Sequence, residues 1–181
     1  MKKCFLFVIA TALWIAGYAQ FSKASLQASG LTCSMCSKAV KVALEKVSFV
    51  QEVKVNIKNQ EYAIVFKENS KADFDELKKA VEDAGFSVAS LKVTGSFSSV
   101  NVEKDEHIQL DGKNFHFVNS GAKVLNGEQT LTIVDKDFLS AKEYKKFSAA
   151  TKLECIKTGK AGECCMKDGI HSDERVYHVV I

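Results

Sequence analysis

Two groups of thiols carry the chemistry of this sequence. The first is Gly30-Leu31-Thr32-Cys33-Ser34-Met35-Cys36, a C-x-x-C. The second is Cys155, Cys164 and Cys165, with Met166 and His171 close behind. A C-x-x-C admits four uses: a redox couple, half of a zinc site, a clasp for a soft metal, or a plain disulfide. Thiolate is both the nucleophile and the ligand, so lowering a thiol pKa serves redox chemistry and metal binding alike. Here Cys33 ends a loop and Cys36 enters the first turn of an expected helix, where unpaired amides and the helix dipole make an electropositive end. Two thiolates on an exposed loop form an open, low-coordinate soft site, which favours Cu(I), Zn(II) or similar thiophiles over magnesium or calcium.

The competing uses fit less well. A structural zinc site needs four ligands, and the other thiols lie far along the chain. A thioredoxin-like couple also sits at a helix start, but that fold sets a cis-proline against its active site, and this chain contains no proline. A bridge across so short a loop removes little unfolded-state entropy. The metal clasp is the preferred reading. For Cys155, Cys164 and Cys165 the preference runs the other way. A disulfide from Cys155 to Cys164 or Cys165, with one thiol left over, is favoured over a second soft-metal site gathering these thiols, Met166 and His171. His107, His116 and His178 fall in expected strands and read as packed or surface residues.

The elements around the first motif follow from periodicity. Ala24, Leu26 and Ala28 alternate with polar neighbours, which predicts a strand. Cys36, Val40, Ala43, Leu44 and Val47 share one helical face. Val53, Val55 and Ile57, then Tyr62, Ile64 and Phe66, alternate about a turn at Lys58–Gln60, a hairpin. Ser70 and Asp73 resemble a capping box ahead of a helix carrying Phe74, Leu77, Val81 and Ala84. Gly85 stops it, and a strand runs from Phe86 to about Val93. The order β-α-β-β-α-β is the ferredoxin-like arrangement.

With this order in place, residues about 22–93 resemble the heavy-metal-associated domain family. That family includes copper chaperones, the N-terminal domains of metal-transporting P-type ATPases and a periplasmic mercury-binding protein. The family motif is G-M-T-C-x-x-C, and Leu31 stands here in place of Met. The resemblance implies Cys33 and Cys36 as metal ligands, Thr32 shaping the loop and Phe86 shielding it, with Met35 facing solvent. It implies a carrier and not an enzyme: a partner's thiolates add to the bound metal and then remove it by ligand exchange. Cu(I) is the expected ion, with Hg(II) or Zn(II) as alternatives, and a metal-transporting or metal-accepting protein is the expected partner. An exported thiol-disulfide protein is the alternative of a different class.

From Thr94 to Ile181 the pattern predicts strands near His107–Leu110, Asn114–Val118, Thr130–Val134, Leu153–Ile156 and Arg175–Ile181. Asp111-Gly112 and Asn126-Gly127 are turn dipeptides. Ser140 and Glu143 form a capping box that opens a helix to about Ala150. This order resembles a small OB-like barrel. The expected fold class is therefore α+β: a ferredoxin-like domain at 20–93, then a mainly β domain with one helix at 94–181.

The chain opens with Met1-Lys2-Lys3-Cys4 and an apolar run from Phe5 to Ala16. That run is shorter than the roughly 20 residues a membrane helix needs. Gly17-Tyr18-Ala19 supplies small residues where a signal peptidase reads, so residues 1–19 are expected to be a signal peptide and the protein exported to the periplasm. No later run is long enough to insert in a membrane. Cleavage removes Cys4 and leaves five thiols, an odd number, in an oxidising compartment. Loss of Lys2 and Lys3 lowers the formal charge from +3 to +1. That balance gives no long-range attraction for nucleic acid.

Overall fold

A computed structural model of the chain describes residues 19–181. The expected signal peptide, apart from Ala19, lies outside the described residues. The order is β1 (Gln20–Ser29), α1 (Ser34–Glu45), β2 (Val50–Asn56), β3 (Glu61–Phe66), α2 (Phe74–Asp83) and β4 (Ser87–Val102), then β5 (His107–Leu110), β6 (Lys113–Phe117) and β7 (Lys123–Ile133). A 3-10 turn (Lys136–Phe138), α3 (Ala141–Ser148), the single turns α4 (Cys155–Thr158) and α5 (Glu163–Met166), and β8 (Val176–Val180) complete it.

The ferredoxin-like order is present in the first half, and its strands follow the burial pattern their periodicity demands. Ala24, Leu26 and Ala28 of β1 are buried, as are Tyr62, Ile64 and Phe66 of β3. Ile57 departs from its expected place in β2: the strand ends at Asn56 and Ile57 is 60 % exposed. The cap of α2 also differs. Asp73 is the N-cap, accepting from the Asp75 amide at 2.9 Å, while Ser70 donates to the Lys67 carbonyl. Asp73 sits directly before the first helical residue, so its carboxylate reaches the free amides that Ser70 is too far upstream to meet.

All eight strands form one sheet in the order β2-β3-β1-β4-β7-β8-β6-β5. Among the described residues only the β6–β8 pair is parallel. β4 is the shared element. Residues 87–96 of it pair with β1, and residues 91–102 pair with β7, across an irregularity between Phe97 and Val100. The Gly95–Ser99 stretch is thus strand, and the expected boundary between Val93 and Thr94 falls inside β4. The second half adds strands to this open sheet, with β2 and β5 at its edges, and closes no barrel of its own.

Local differences have local causes. Asp111 and Gly112 both take positive φ and close the β5–β6 hairpin as expected. Asn126-Gly127 is no turn: Gly127, at φ +69°, lies within β7 opposite Phe97, where the pairing with β4 shifts. A bulge uses the same glycine conformation as a turn. Leu153–Ile156 gives no strand, because Cys155 opens α4 and Gly159 ends it in the left-handed conformation at φ +69°. Ser140 caps α3, its Oγ accepting from the Glu143 amide at 3.3 Å and donating to the Glu143 carboxylate at 2.8 Å.

The main apolar cluster spans both halves, and two smaller ones lie within the second. Phe21 of β1 lies 5.3 Å from Phe74, 6.0 Å from Phe97 and 5.4 Å from Phe115 between ring centres. Arg175, just before β8, reinforces the join. It pairs with Asp75 of α2 at 2.8 Å and with Asp135 at 2.9 Å, and its guanidinium lies 4.2 Å over the Tyr177 ring. Asp135 is 5 % exposed.

Two outcomes are expected. Phe21→Ala removes a ring shared by both halves and should cost about 3–5 kcal/mol. Denaturant unfolding followed by circular dichroism should remain one transition, and a first half that melts separately would contradict the shared core. Arg175→Met leaves the buried Asp135 carboxylate without its cation and should cost about 3 kcal/mol. A loss below about 1 kcal/mol in the same measurement would class the pair with exposed ion pairs.

Candidate metal centres

The Gly30–Cys36 loop joins β1 to α1. Gly30 stands at φ +86°, a conformation that favours glycine, and the Phe86 ring lies against it, 3.8 Å from where a Cβ would sit. Leu31 is buried. The Gln60 amide donates to the Leu31 carbonyl at 3.2 Å, and the buried Tyr62 hydroxyl donates to the Ser37 carbonyl at 3.3 Å. The β2–β3 turn thereby ties down the loop, and β3 ties down the first turn of α1.

Cys33 is the N-cap of α1, and its sulfur accepts from the Cys36 amide at 3.4 Å. The two Sγ atoms are 2.9 Å apart, with Thr32 Oγ1 3.9 Å from Cys36 Sγ. The Cys36 pKa is lowered, chiefly by the hydrogen bond from Cys33 and next by the Thr32 backbone. Cys33 is exposed and Cys36 partly so. Met35, 70 % exposed in the first turn of α1, points to solvent. The result is a pair of neighbouring, accessible sulfurs, the soft donor type that thiophilic ions take.

The second thiol group is arranged differently. Cys155, Cys164 and Cys165 are free thiols in the structure. Cys155 begins α4, and Cys164 and Cys165 lie in α5. Met166 and His171 are exposed and lie on the surface. The partners of Cys155 are instead three histidines. Its Sγ lies 3.4 Å from His178 Nε2, 3.6 Å from His107 Nε2 and 4.0 Å from His116 Nδ1. Cys165 Sγ lies 3.3 Å from His107 Nε2 and 3.4 Å from Cys164 Sγ. Cys155, Cys165, His116 and His178 are each at most 1 % exposed, and His107 is 7 % exposed.

Strand register explains the convergence. His107 pairs with His116 across β5–β6, and His116 pairs with His178 across β6–β8, so the three imidazoles form one cross-strand row. Burial pushes the Cys155 and Cys165 thiols up, and for Cys155 the neighbouring thiols add to it. Burial also pushes His107 down, and His116 down to about 4, where the other two imidazoles add to the effect. The histidines are packed, as expected, but around a sulfur. The available signal was Phe115-His116-Phe117 on a strand buried on both faces, where a polar residue needs a partner.

Similarity to known proteins concentrates in the first half. The heavy-metal-associated domain model matches residues 25–87. The mercuric transport protein periplasmic component of Serratia marcescens is 35 % identical over 86 residues, covering 48 % of this chain and 93 % of that protein. A probable copper-exporting P-type ATPase of Archaeoglobus fulgidus is 34 % identical over 64 residues, or 35 % of this chain and 8 % of the ATPase. Among solved structures, oxidized MerP from Ralstonia metallidurans is 31 % identical, covering 39 % of this chain and 96 % of that one, with a TM-score of 0.35. Through this region the chain belongs to the heavy-metal-associated domain family.

Proposed function

We propose that the protein carries Cu(I) outside the cytoplasm, held between the Cys33 and Cys36 thiolates and passed by ligand exchange to a metal-accepting protein. The observation that carries this reading is the pair of exposed sulfurs 2.9 Å apart at the N-terminus of α1. Soft sulfur donors in low coordination match Cu(I). Their exposure lets a partner's thiolate attack the bound ion while the first two still hold it. The metal is cargo and no covalent bond of a substrate is broken. Similarity to a periplasmic mercury-transport component and to a copper-exporting ATPase supports a transport role for a thiophilic ion. The basic, apolar start of the sequence supports export. No helix among the described residues is long and apolar enough to cross a membrane.

An anaerobic Cu(I) titration of reduced protein against a competing chelator tests the clasp. Cys33→Ser/Cys36→Ser should lose one tightly held equivalent, and an unchanged stoichiometry would remove the clasp from the reading. Retention of Hg(II) or Zn(II) in place of Cu(I) under the same competition would reassign the cargo. Catalytic turnover of a dithiol substrate would favour thiol-disulfide exchange instead. Met35→Ala should leave the Cu(I) affinity within about threefold, because a solvent-facing thioether adds little to a two-thiolate site.

A further inference from the structure

The row of three histidines over Cys155 has no apolar rationale, and it poses a proton-counting problem. Each imidazole turns one nitrogen to a carboxylate: His107 Nδ1 to Asp168 at 2.7 Å, His116 Nε2 to Asp105 at 3.3 Å and His178 Nδ1 to Asp135 at 2.5 Å. A carboxylate only accepts, so in a neutral ring the nitrogen facing it is the one that carries the hydrogen. The opposite nitrogen of each ring is then a bare lone pair, and all three bare lone pairs aim at Cys155 Sγ. A thiol has one hydrogen to give. Cys165 can serve His107, but His116 and His178 still compete for a single Cys155 proton. At least one buried acceptor is left unmet, a costly state in a closed interior.

The geometry points to a second metal site, buried in the C-terminal half, in which a thiophilic d10 cation, Zn(II) or Cu(I), is bound by Cys155 Sγ, His107 Nε2 and His116 Nδ1, with His178 against Cys155 and Cys165 against His107. One cation at these three donors meets the inward lone pairs of His107 and His116 together with the Cys155 sulfur, and frees the space beside His178 from the competition for a thiol proton. With metal–sulfur and metal–nitrogen bonds of ordinary tetrahedral zinc length, sulfur and nitrogen ligands stand about 3.6 Å apart. The three S···N distances here are 3.4, 3.6 and 4.0 Å. The donor atoms of His107, His116 and Cys155 all lie within 4.8 Å of one another. The outer carboxylates supply the usual support of a metal-bound imidazole, fixing the tautomer and the ring plane. Cys155 loses its proton to solvent when the ion binds, so the thiolate charge is met by the cation.

This site is independent of the Cys33–Cys36 clasp and is tested without it. Full-length Cys33→Ser/Cys36→Ser protein, reduced and stripped of metal, is given Zn(II) alone or Cu(I) alone against a competing chelator. The expected result is one retained ion per chain, with a mixed nitrogen and sulfur shell by X-ray absorption. Cys155→Ser should then weaken binding by at least about 100-fold. Because that variant alters a buried position, a second variant guards the result. Asp168→Ala changes a partly exposed carboxylate outside the shell and should weaken binding about 10–100-fold with unchanged circular dichroism. Tighter retention of Zn(II) identifies a resident structural ion, and tighter retention of Cu(I) identifies a second place for cargo. Retention of neither ion, a shell of oxygen alone, or an affinity that neither variant changes overturns the proposal.

Discussion

The arrangement rests on the pairing of β4 with β1 on one side and β7 on the other. A sixteen-residue strand is long for a domain of this size. Its length lets one sheet serve two purposes. The end near Ser87 holds the family's four-stranded ferredoxin-like core, and the rest carries β7, which in turn holds β8 and the histidine row. Gly95 marks how closely β1 and β4 approach beside the irregularity at Phe21, because a Cβ there would fall 2.9 Å from the Gln20 carbonyl oxygen. The aromatic cluster around Phe21 lies where β1, α2, β4 and β6 meet, so packing and strand pairing agree about which surfaces are joined.

Two thiol environments of opposite character follow from this sheet. On the α1 side, sulfurs stand in solvent at a helix start, where hydrogen bonds draw the Cys36 pKa down. On the β8 side, sulfur is sealed among imidazoles, and burial drives the Cys155 thiol up. The first environment favours rapid exchange with a visiting ligand. The second favours retention, because its donors are covered by α4 and α5 and locked from behind by carboxylates. Arg175 ties the two halves electrostatically. Its ion pair with Asp135 holds the carboxylate that orients His178, and its other arm reaches Asp75 at the start of α2.

Legibility in the sequence divided along the same line. The elements of the first half are short-range: alternation in β1 and β3, a helical face in α1, a glycine after α2. Together with the motif they located the loop and its two cysteines. The second half is held by pairings distant in sequence. Gly127 carries the same local signal whether the chain turns or bulges, and only the partner strand decides. Leu153–Ile156 is too short for alternation to separate strand from helical turn. The histidines were the largest gap. His107, His116 and His178 come from three strands, and nothing local says that their registers coincide or that α4 will bring Cys155 to them.

The capping of α1 by Cys33 has a consequence of its own. The same sulfur electron density that would bind an ion also receives the Cys36 amide. An anionic sulfur accepts a hydrogen bond more strongly than a thiol does. A change in charge at the loop is therefore transmitted to the backbone of the first helical turn with no moving part between them. Gain of negative charge on Cys33 slows amide proton exchange there, and its neutralisation frees the turn to fray. The order of one helix end thus becomes a gauge of the electronic state of the loop that precedes it.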